Sequence, residues 1–260
     1  MENIFNQSPF QCRMDWGVRG VKEASDRGDI IVVVDVLSFS SAITNAVHSG
    51  VIIYPFPRTG DINDYGKLVE AEVCILERSR ARELGLPSLS ATSFNESHKG
   101  KRYIVSSING ATCVKAANKN NLVFVGCFLN ISAVANVVNK IQKEKNLNIT
   151  VIASGERWNS INGEPKELRP SIEDYLGAGA ILELIDGTKS PEAKVCISAY
   201  QNSKSELSDL IADSSSGREL KAMEFPEDVE FCSRIDIFEE VPVLTQDSKG
   251  YSFFKNYLDN

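Results

Sequence analysis

The chain has 260 residues, 42% of them hydrophobic and 24% charged, the profile of an ordinary water-soluble globular protein with enough length for a sizeable core. Its net charge of -7 argues against broad contact with a nucleic acid backbone or an anionic membrane surface. A small anionic ligand is still allowed, because one local site can be positive or can hold a metal.

Short apolar runs alternate with longer amphipathic stretches. The N-terminal MENIFNQSPFQCRMDWG has no basic segment followed by an apolar one, so no secretion signal is expected. No run approaches the length of a membrane span. Strands are expected at 30–36, 51–55, 73–76, 102–106, 122–125, 149–154 and 194–197, with shorter ones near 229–231 and 241–243. Helices are expected at 39–49, 109–119, 130–145, 172–186, 191–193 extended unevenly by 202–212, and 216–223. This alternation predicts an α/β fold, a three-layer α/β/α arrangement around a largely parallel or mixed sheet. The stretches 79–101 and 155–170 read as long irregular loops, and long loops inside a folded unit often carry function. No repeat, low-complexity linker or boundary interrupts the chain, so residues 1–260 are expected to form one domain.

Six cysteines, at 12, 74, 113, 127, 196 and 232, include no CxxC pair. Several sit in apolar runs, where free cysteine behaves as a small hydrophobe. A reducing, cytoplasmic setting is expected.

In open α/β sheets, ligands bind beyond the carboxyl ends of the strands. IIVVV ends in Asp35, a carboxylate that is expensive to bury unless it is paired or used. VCIL is followed by Glu77 and Arg78. YIVSS, which contains Ser107, leads to Asn109, Gly110 and Thr112 at a helix opening. LVFVG leads to Asn130 and Ser132 at another. TVIAS is followed by Gly155, Glu156 and Arg157. Helix openings bind phosphate or carboxylate, and clustered carboxylates suit a hard cation such as Mg²⁺. Together they point to metal-assisted chemistry on a phosphorylated small molecule. Each piece also has a structural reading. Asp35 can merely cap the following helix, Asn109-Gly110 can be only a turn, Asn130 and Ser132 only caps, Glu77-Arg78 a surface ion pair, and Ser171-Ile172-Glu173-Asp174 a helix cap with an acidic first turn.

Other chemistries fit poorly. Cys74 and Arg80 have C-x5-R spacing, but ILERS between them lacks the glycines of a phosphate cradle. There is no P-loop, GxGxxG or HExxH. His48 and His98 have no neighbouring ligand pattern, which argues against zinc catalysis and a Ser-His-Asp triad. A D-x-D phosphoenzyme would need an acid where Leu37 stands.

The blocks VVVDVLSFSSAI, SSINGATCVKAA, GCFLNISAVANVV, VIASGERW, PSIEDYLGAGAILELI and SSSGRELKAMEFPEDVEFCSRIDIFEEVPVL follow in order over about residues 30 to 244. In that order they resemble the 2-phosphosulfolactate phosphatase family. The resemblance implies an α/β/α fold and a Mg²⁺-dependent phosphatase that converts 2-phosphosulfolactate to 3-sulfolactate and phosphate, a step of coenzyme M biosynthesis in methanogens. Three places depart from the family pattern. Ser38 stands where an arginine usually follows DVL, Leu76 replaces the glycine of G-E-R, and PSLSATSFNES (87–97) lacks that loop's aspartate and Gly-Asn pair. Losing the arginine removes an anion clamp.

On this reading Asp35 is a Mg²⁺ ligand, Glu77 and Glu156 are the next candidates, and Glu173 or Asp174 lie behind them. The openings around Ser107, Asn109, Gly110 and Thr112, and around Asn130 and Ser132, would hold the phosphate. Arg78, Arg157 or Arg218 would neutralise charge in the transition state. The rival readings are a binder of a phosphorylated or sulfonated metabolite without turnover, and a structural domain with no small ligand. Oligomeric state is left open by the sequence, a homodimer included.

Overall fold

In chain order the elements are β1 (Cys12–Trp16), α1 (Gly17–Asp26), β2 (Ile30–Val34), α2 (Phe39–His48), β3 (Ile52–Phe56), α3 (Ile62–Val69), β4 (Glu72–Val73), α4 (Arg78–Leu84), β5 (Arg102–Ser106) and α5 (Gly110–Ala116). They continue with β6 (Val123–Gly126), α6 (Ile131–Lys145), β7 (Ile149–Ala153), β8 (Glu156–Arg157), β9 (Leu168–Arg169), α7 (Ile172–Leu184), α8 (Pro191–Ser203), α9 (Leu207–Asp213), α10 (Ser215–Ala222), α11 (Pro226–Cys232), β10 (Pro242–Gln246) and β11 (Ser252–Asn256). The structure is a computed structural model that describes residues 4–158 and 167–259.

The fold is α/β, built on a nine-stranded mixed sheet ordered β1-β7-β2-β6-β10-β11-β3-β5-β4. β1, β7, β2 and β6 are mutually parallel. β3, β5 and β4 form a second parallel set. The β10–β11 hairpin joins the two sets through antiparallel pairings on both sides. Three successive antiparallel pairings reverse the second set relative to the first. A flat sheet would then put the two sets' carboxyl ends on opposite edges. Instead they meet: Gly110, just past β5, donates its N–H to Asp35, just past β2, at 2.8 Å. The sheet therefore curls, and Ile31 and Val33 share one core with Ile53, Val105 and Phe254.

Strand side chains alternate between faces. Ile30, Val32 and Val34 pack in one core with Val134 and Val138 of α6, Ile181 of α7 and Cys196 of α8. Ile31 and Val33 pack in the other with Val21 of α1, Ile43 of α2 and Val114 of α5. Burial on both faces is why IIVVV has no polar residue until Asp35. Helix α7 reaches the strand ends because Gly177-Ala178-Gly179-Ala180 keeps it thin. A Cβ on Gly179 would lie 2.4 Å from the Cys196 carbonyl oxygen, so α7 and α8 are in backbone contact there.

Several expected elements differ. Residues 194–197 and 229–231 are helical, within α8 and α11, not strands. Both helices carry proline in the first turn, and Ser190 Oγ caps α8 by accepting from Ala193 N–H at 3.1 Å. That start signal outweighs the short apolar run. The stretch 79–101 is only partly loop, since α4 occupies its beginning. The ends of 155–170 pair as a small β8–β9 ribbon, and residues 159–166 lie outside the described residues. β1, α1, α3 and β11 had no expectation. β1 hides because CRMDW carries two charges, of which Arg13 is buried with its Nη1 donating to both Asp29 carboxylate oxygens at 2.8 Å.

Candidate active site

The turn after β2 is closed by its own serines. Asp35 N–H donates to Ser40 Oγ at 2.8 Å, Ser40 Oγ donates to the Val33 carbonyl at 3.2 Å, and Ser41 Oγ donates to the Val36 carbonyl at 2.8 Å. The polar cluster SFSS in a buried setting thus satisfies the backbone where strand becomes helix. The turn fixes the Asp35 carboxylate at the strand end. Oδ1 accepts from Phe39 N–H at 3.2 Å and Oδ2 from Gly110 N–H at 2.8 Å. Glycine is needed at 110, since a Cβ there would lie 2.3 Å from Phe39 and 2.7 Å from Asp35 Oδ2.

Burial pushes the Asp35 carboxyl up to about 7; the two amides pull it down, and the negative charges of Glu156 and Glu173 add to the rise. Asp174 is also raised well above the ordinary carboxylate range, by burial first and then by Asp35 and Glu173. The two differ in their partners. Asp174 Oδ1 accepts from Val36 N–H at 2.8 Å, and Oδ2 accepts from Gly155 N–H at 2.9 Å and Ser171 Oγ at 2.8 Å. It ties the loops after β2 and β7 together.

Glu156, at the end of β7's loop, is oriented by Asn109 Nδ2 at 2.9 Å and Arg157 N–H at 2.7 Å. Arg157 Nε in turn donates to Asn109 Oδ1 at 3.4 Å. Asp35, Ser107, Asn109 and Glu156 line one cavity of about 190 Å³, together with Ser38, Arg58, Arg78 and side chains of α10. Arg78 enters it from α4, donating from Nη2 to Ser38 Oγ at 3.2 Å and from Nη1 to Asp228 Oδ2 at 2.9 Å. Asp228 is fully buried in α11, and its Oδ1 accepts from Ser90 Oγ at 2.7 Å and Thr92 Oγ1 at 3.1 Å. The altered loop 87–97 therefore supports the carboxylate that holds Arg78.

Other residues expected at the site lie elsewhere. Glu77 lines an adjoining larger cavity, with Oε1 accepting from Ser79 Oγ at 3.0 Å. Glu173 is buried at the start of α7 and acts on Asp35 through its charge. Thr112 sits in the first turn of α5 and does not line the Asp35 cavity. The amide of Gly110 is engaged by Asp35. Asn130 is buried, with Oδ1 accepting from Cys127 N–H at 3.0 Å and Nδ2 donating to the Glu240 carbonyl at 3.0 Å. Ser132 gives both its N–H, at 2.8 Å, and its Oγ, at 2.6 Å, to Asp236. The second helix opening is thus occupied by protein. Arg218 is an exposed neighbour of Asp213 at 3.6 Å, while Ser216 and Glu219 of its helix reach the cavity.

The expected five-carboxylate metal set does not assemble. Among the described residues no three His, Cys, Asp or Glu side chains form a group that could hold a metal ion. A smaller set fits Mg²⁺, which usually takes one or two carboxylates and leaves its other positions to water and substrate phosphate. Asp35 and Glu156 face one cavity with the hard oxygen donors Ser107 and Asn109, and their mutual repulsion favours a cation.

Arg58 and Asp228 had no expectation. Arg58 was within reach of the strand-end rule, because it follows β3 in YPFPRTG. Asp228 had only the helix-start pattern FPED, which gives no hint of a partner 150 residues away.

The family model described as 2-phosphosulpholactate phosphatase matches residues 18–247. A 2-phosphosulfolactate phosphatase of Methanothermobacter thermautotrophicus is 29% identical over 226 residues, covering 85% of this chain and 89% of that protein. A probable 2-phosphosulfolactate phosphatase of Caldanaerobacter subterraneus subsp. tengcongensis is 28% identical over 223 residues, covering 82% and 87%. One from Pseudothermotoga lettingae is 27% identical over 222 residues, covering 84% and 90%. With a match that spans β2, β5, β7, α7 and α10, the chain belongs to the 2-phosphosulfolactate phosphatase family.

Proposed function

We propose that the protein is a Mg²⁺-dependent phosphoric monoester hydrolase whose substrate is 2-phosphosulfolactate, cleaved to 3-sulfolactate and phosphate in the Asp35 cavity. The observation that carries this reading is Asp35 itself, a buried strand-end carboxylate pinned by two backbone amides and turned to a cavity with Glu156 and Arg78. The substrate class comes from the relatives, whose names carry 2-phosphosulfolactate.

Asp35 and Glu156 would hold the metal, which when bound screens phosphate charge and acidifies a water. Asn109 sets the Glu156 carboxylate, and Ser107 adds an oxygen to the cavity wall. Arg78, braced by Asp228, places a guanidinium where charge grows on the phosphoryl oxygens. Ser38 in place of the family's arginine suggests a binder without turnover. Arg78, the arginine of the G-E-R position, is retained and donates to Ser38 Oγ at 3.2 Å, so the cavity keeps one guanidinium for catalysis although the clamp at position 38 is lost. The six cysteines are free and buried, which supports a reducing, cytoplasmic setting. Among the described residues no helix is long and apolar enough to cross a membrane.

The test is phosphate release from 2-phosphosulfolactate and a panel of small phosphoesters, with Mg²⁺ and with chelator. Metal-dependent release supports the reading. A chelator-insensitive rate removes the metal, and no release with any phosphoester removes the enzyme.

A further inference from the structure

The Asp35 cavity does not stand alone. A second chamber of about 500 Å³, walled by Ile75, Leu76 and Phe225, adjoins it. Arg58, Arg78, Leu89 and Met223 line both chambers. The smaller, at about 190 Å³, falls below the roughly 300 Å³ at which small-molecule sites begin. Because the two chambers share Arg58 and Arg78, a substrate with its phosphate beside Asp35 would have the larger chamber open to the rest of its skeleton.

The two guanidiniums differ in state. Arg78 is balanced by Asp228 at 2.9 Å, with its side chain only 11% exposed. Arg58 donates from Nε to Ser106 Oγ at 3.2 Å and has no carboxylate partner among the described residues. Its remaining N–H donors form a planar fork that suits an oxyanion. Its backbone is left-handed, with φ 57°, a conformation that a non-glycine residue rarely adopts. Glu77, the carboxylate on the larger chamber, is engaged by Ser79 Oγ at 3.0 Å. The chamber thus combines apolar walls with Arg58, a cation that makes no ion pair among the described residues.

We propose that Arg58 is a second-anion subsite that recognises a sulfonate carried on the substrate's own carbon skeleton, and so selects doubly acidic phosphoesters over simple ones. This rests on the phosphatase reading for the position of the phosphate, but its binding test does not need turnover.

The experiment compares the wild-type full chain with Arg58→Gln and Arg58→Lys, each checked for folding by circular dichroism. Calorimetry measures binding of 3-sulfolactate and of lactate, which lacks the sulfonate. Kinetics measure kcat/KM for 2-phosphosulfolactate and for 2-phospholactate. In Arg58→Gln the preference for the sulfonated partner of each pair should fall ten- to hundred-fold, the span of one charged hydrogen bond, and in the kinetics the loss should appear in KM. Arg58→Lys should recover part of it. An unchanged preference in Arg58→Gln, or a wild type that does not bind 3-sulfolactate, overturns the subsite. If the wild type cleaves neither phosphoester while 3-sulfolactate binding still depends on Arg58, the subsite stands and the hydrolase reading falls.

Discussion

Asp35 and Asp174 are buried carboxylates beside the same loop, and their donors separate their roles. Asp174 spends both oxygens on three donors, two of them backbone amides from different loops. Replacing it with alanine would strand those amides, at about 1–3 kcal/mol each. Asp174→Ala should therefore lower the melting temperature by roughly 10 °C, measured by calorimetry. An unchanged melting temperature would show that water or the backbone replaces the carboxylate at no cost. Asp35 meets two amides and also faces the cavity, so its replacement should be felt first in rate. Asp35→Asn keeps the shape and removes the charge. Because phosphate monoesters are among the slowest biological hydrolyses without catalysis, kcat/KM should fall by about 10³-fold or more. Near-full activity in a folded Asp35→Asn protein would end its role as a metal-holding group. The sequence made Asp35 legible as a charge at the end of IIVVV, but capping of α2, seen in the Phe39 N–H bond, and a role at the cavity read alike there. It did not separate Asp174 from a metal ligand. Its partners Val36 and Gly155 lie 138 and 19 residues away, and no local pattern reveals such contacts.

Helix α7 shows the same division at the scale of an element. Its acidic start was readable, and so was its place after the β7 loop. Its closeness to α8 was not, because that depends on which face Gly179 presents. A methyl group at that position would sit 2.4 Å from the Cys196 carbonyl oxygen, on backbone that cannot rotate away. Gly179→Ala should push the two helices apart and cost about 1–3 kcal/mol in chemical denaturation. At Gly177 the added carbon meets side chains instead of backbone, Val34 and Val36 at 3.0 Å and Phe128 at 3.9 Å, so Gly177→Ala should cost less. The reverse order would mean that the helix pair is not the rigid contact. The misread segments 194–197 and 229–231 are instructive for the same reason. Runs as short as KVCI and VEF suit either a strand or a helix, and the deciding signals, Ser190-Pro191 and Pro226, lay just upstream.

Across the whole molecule, the curl of the sheet gathers carboxyl ends from two oppositely directed strand sets, and with them the mutually repelling carboxylates Asp35 and Glu156. Alternating strands and helices made the α/β class readable, but the curl depends on the β10–β11 hairpin, half of which the sequence did not announce. One consequence is a linked dependence on pH and cation. The folded Asp35 carboxyl titrates near 7, above the 3.8 of the unfolded chain, so the folded protein holds a proton there that the unfolded chain gives up. That contribution to stability is fully present below about pH 4 and is lost as pH rises through 7. A cation held by Asp35 and Glu156 has the opposite preference, since it needs the ionised carboxylates. Millimolar Mg²⁺ should therefore raise the melting temperature more at pH 8 than at pH 5.5, with part of the gain offsetting the loss seen in chelator. Asp35→Asn should flatten both trends, because it cannot titrate and binds the cation weakly. Equal Mg²⁺ stabilisation at both pH values in the wild type would separate the cation from Asp35 and place its effect elsewhere on the acidic surface.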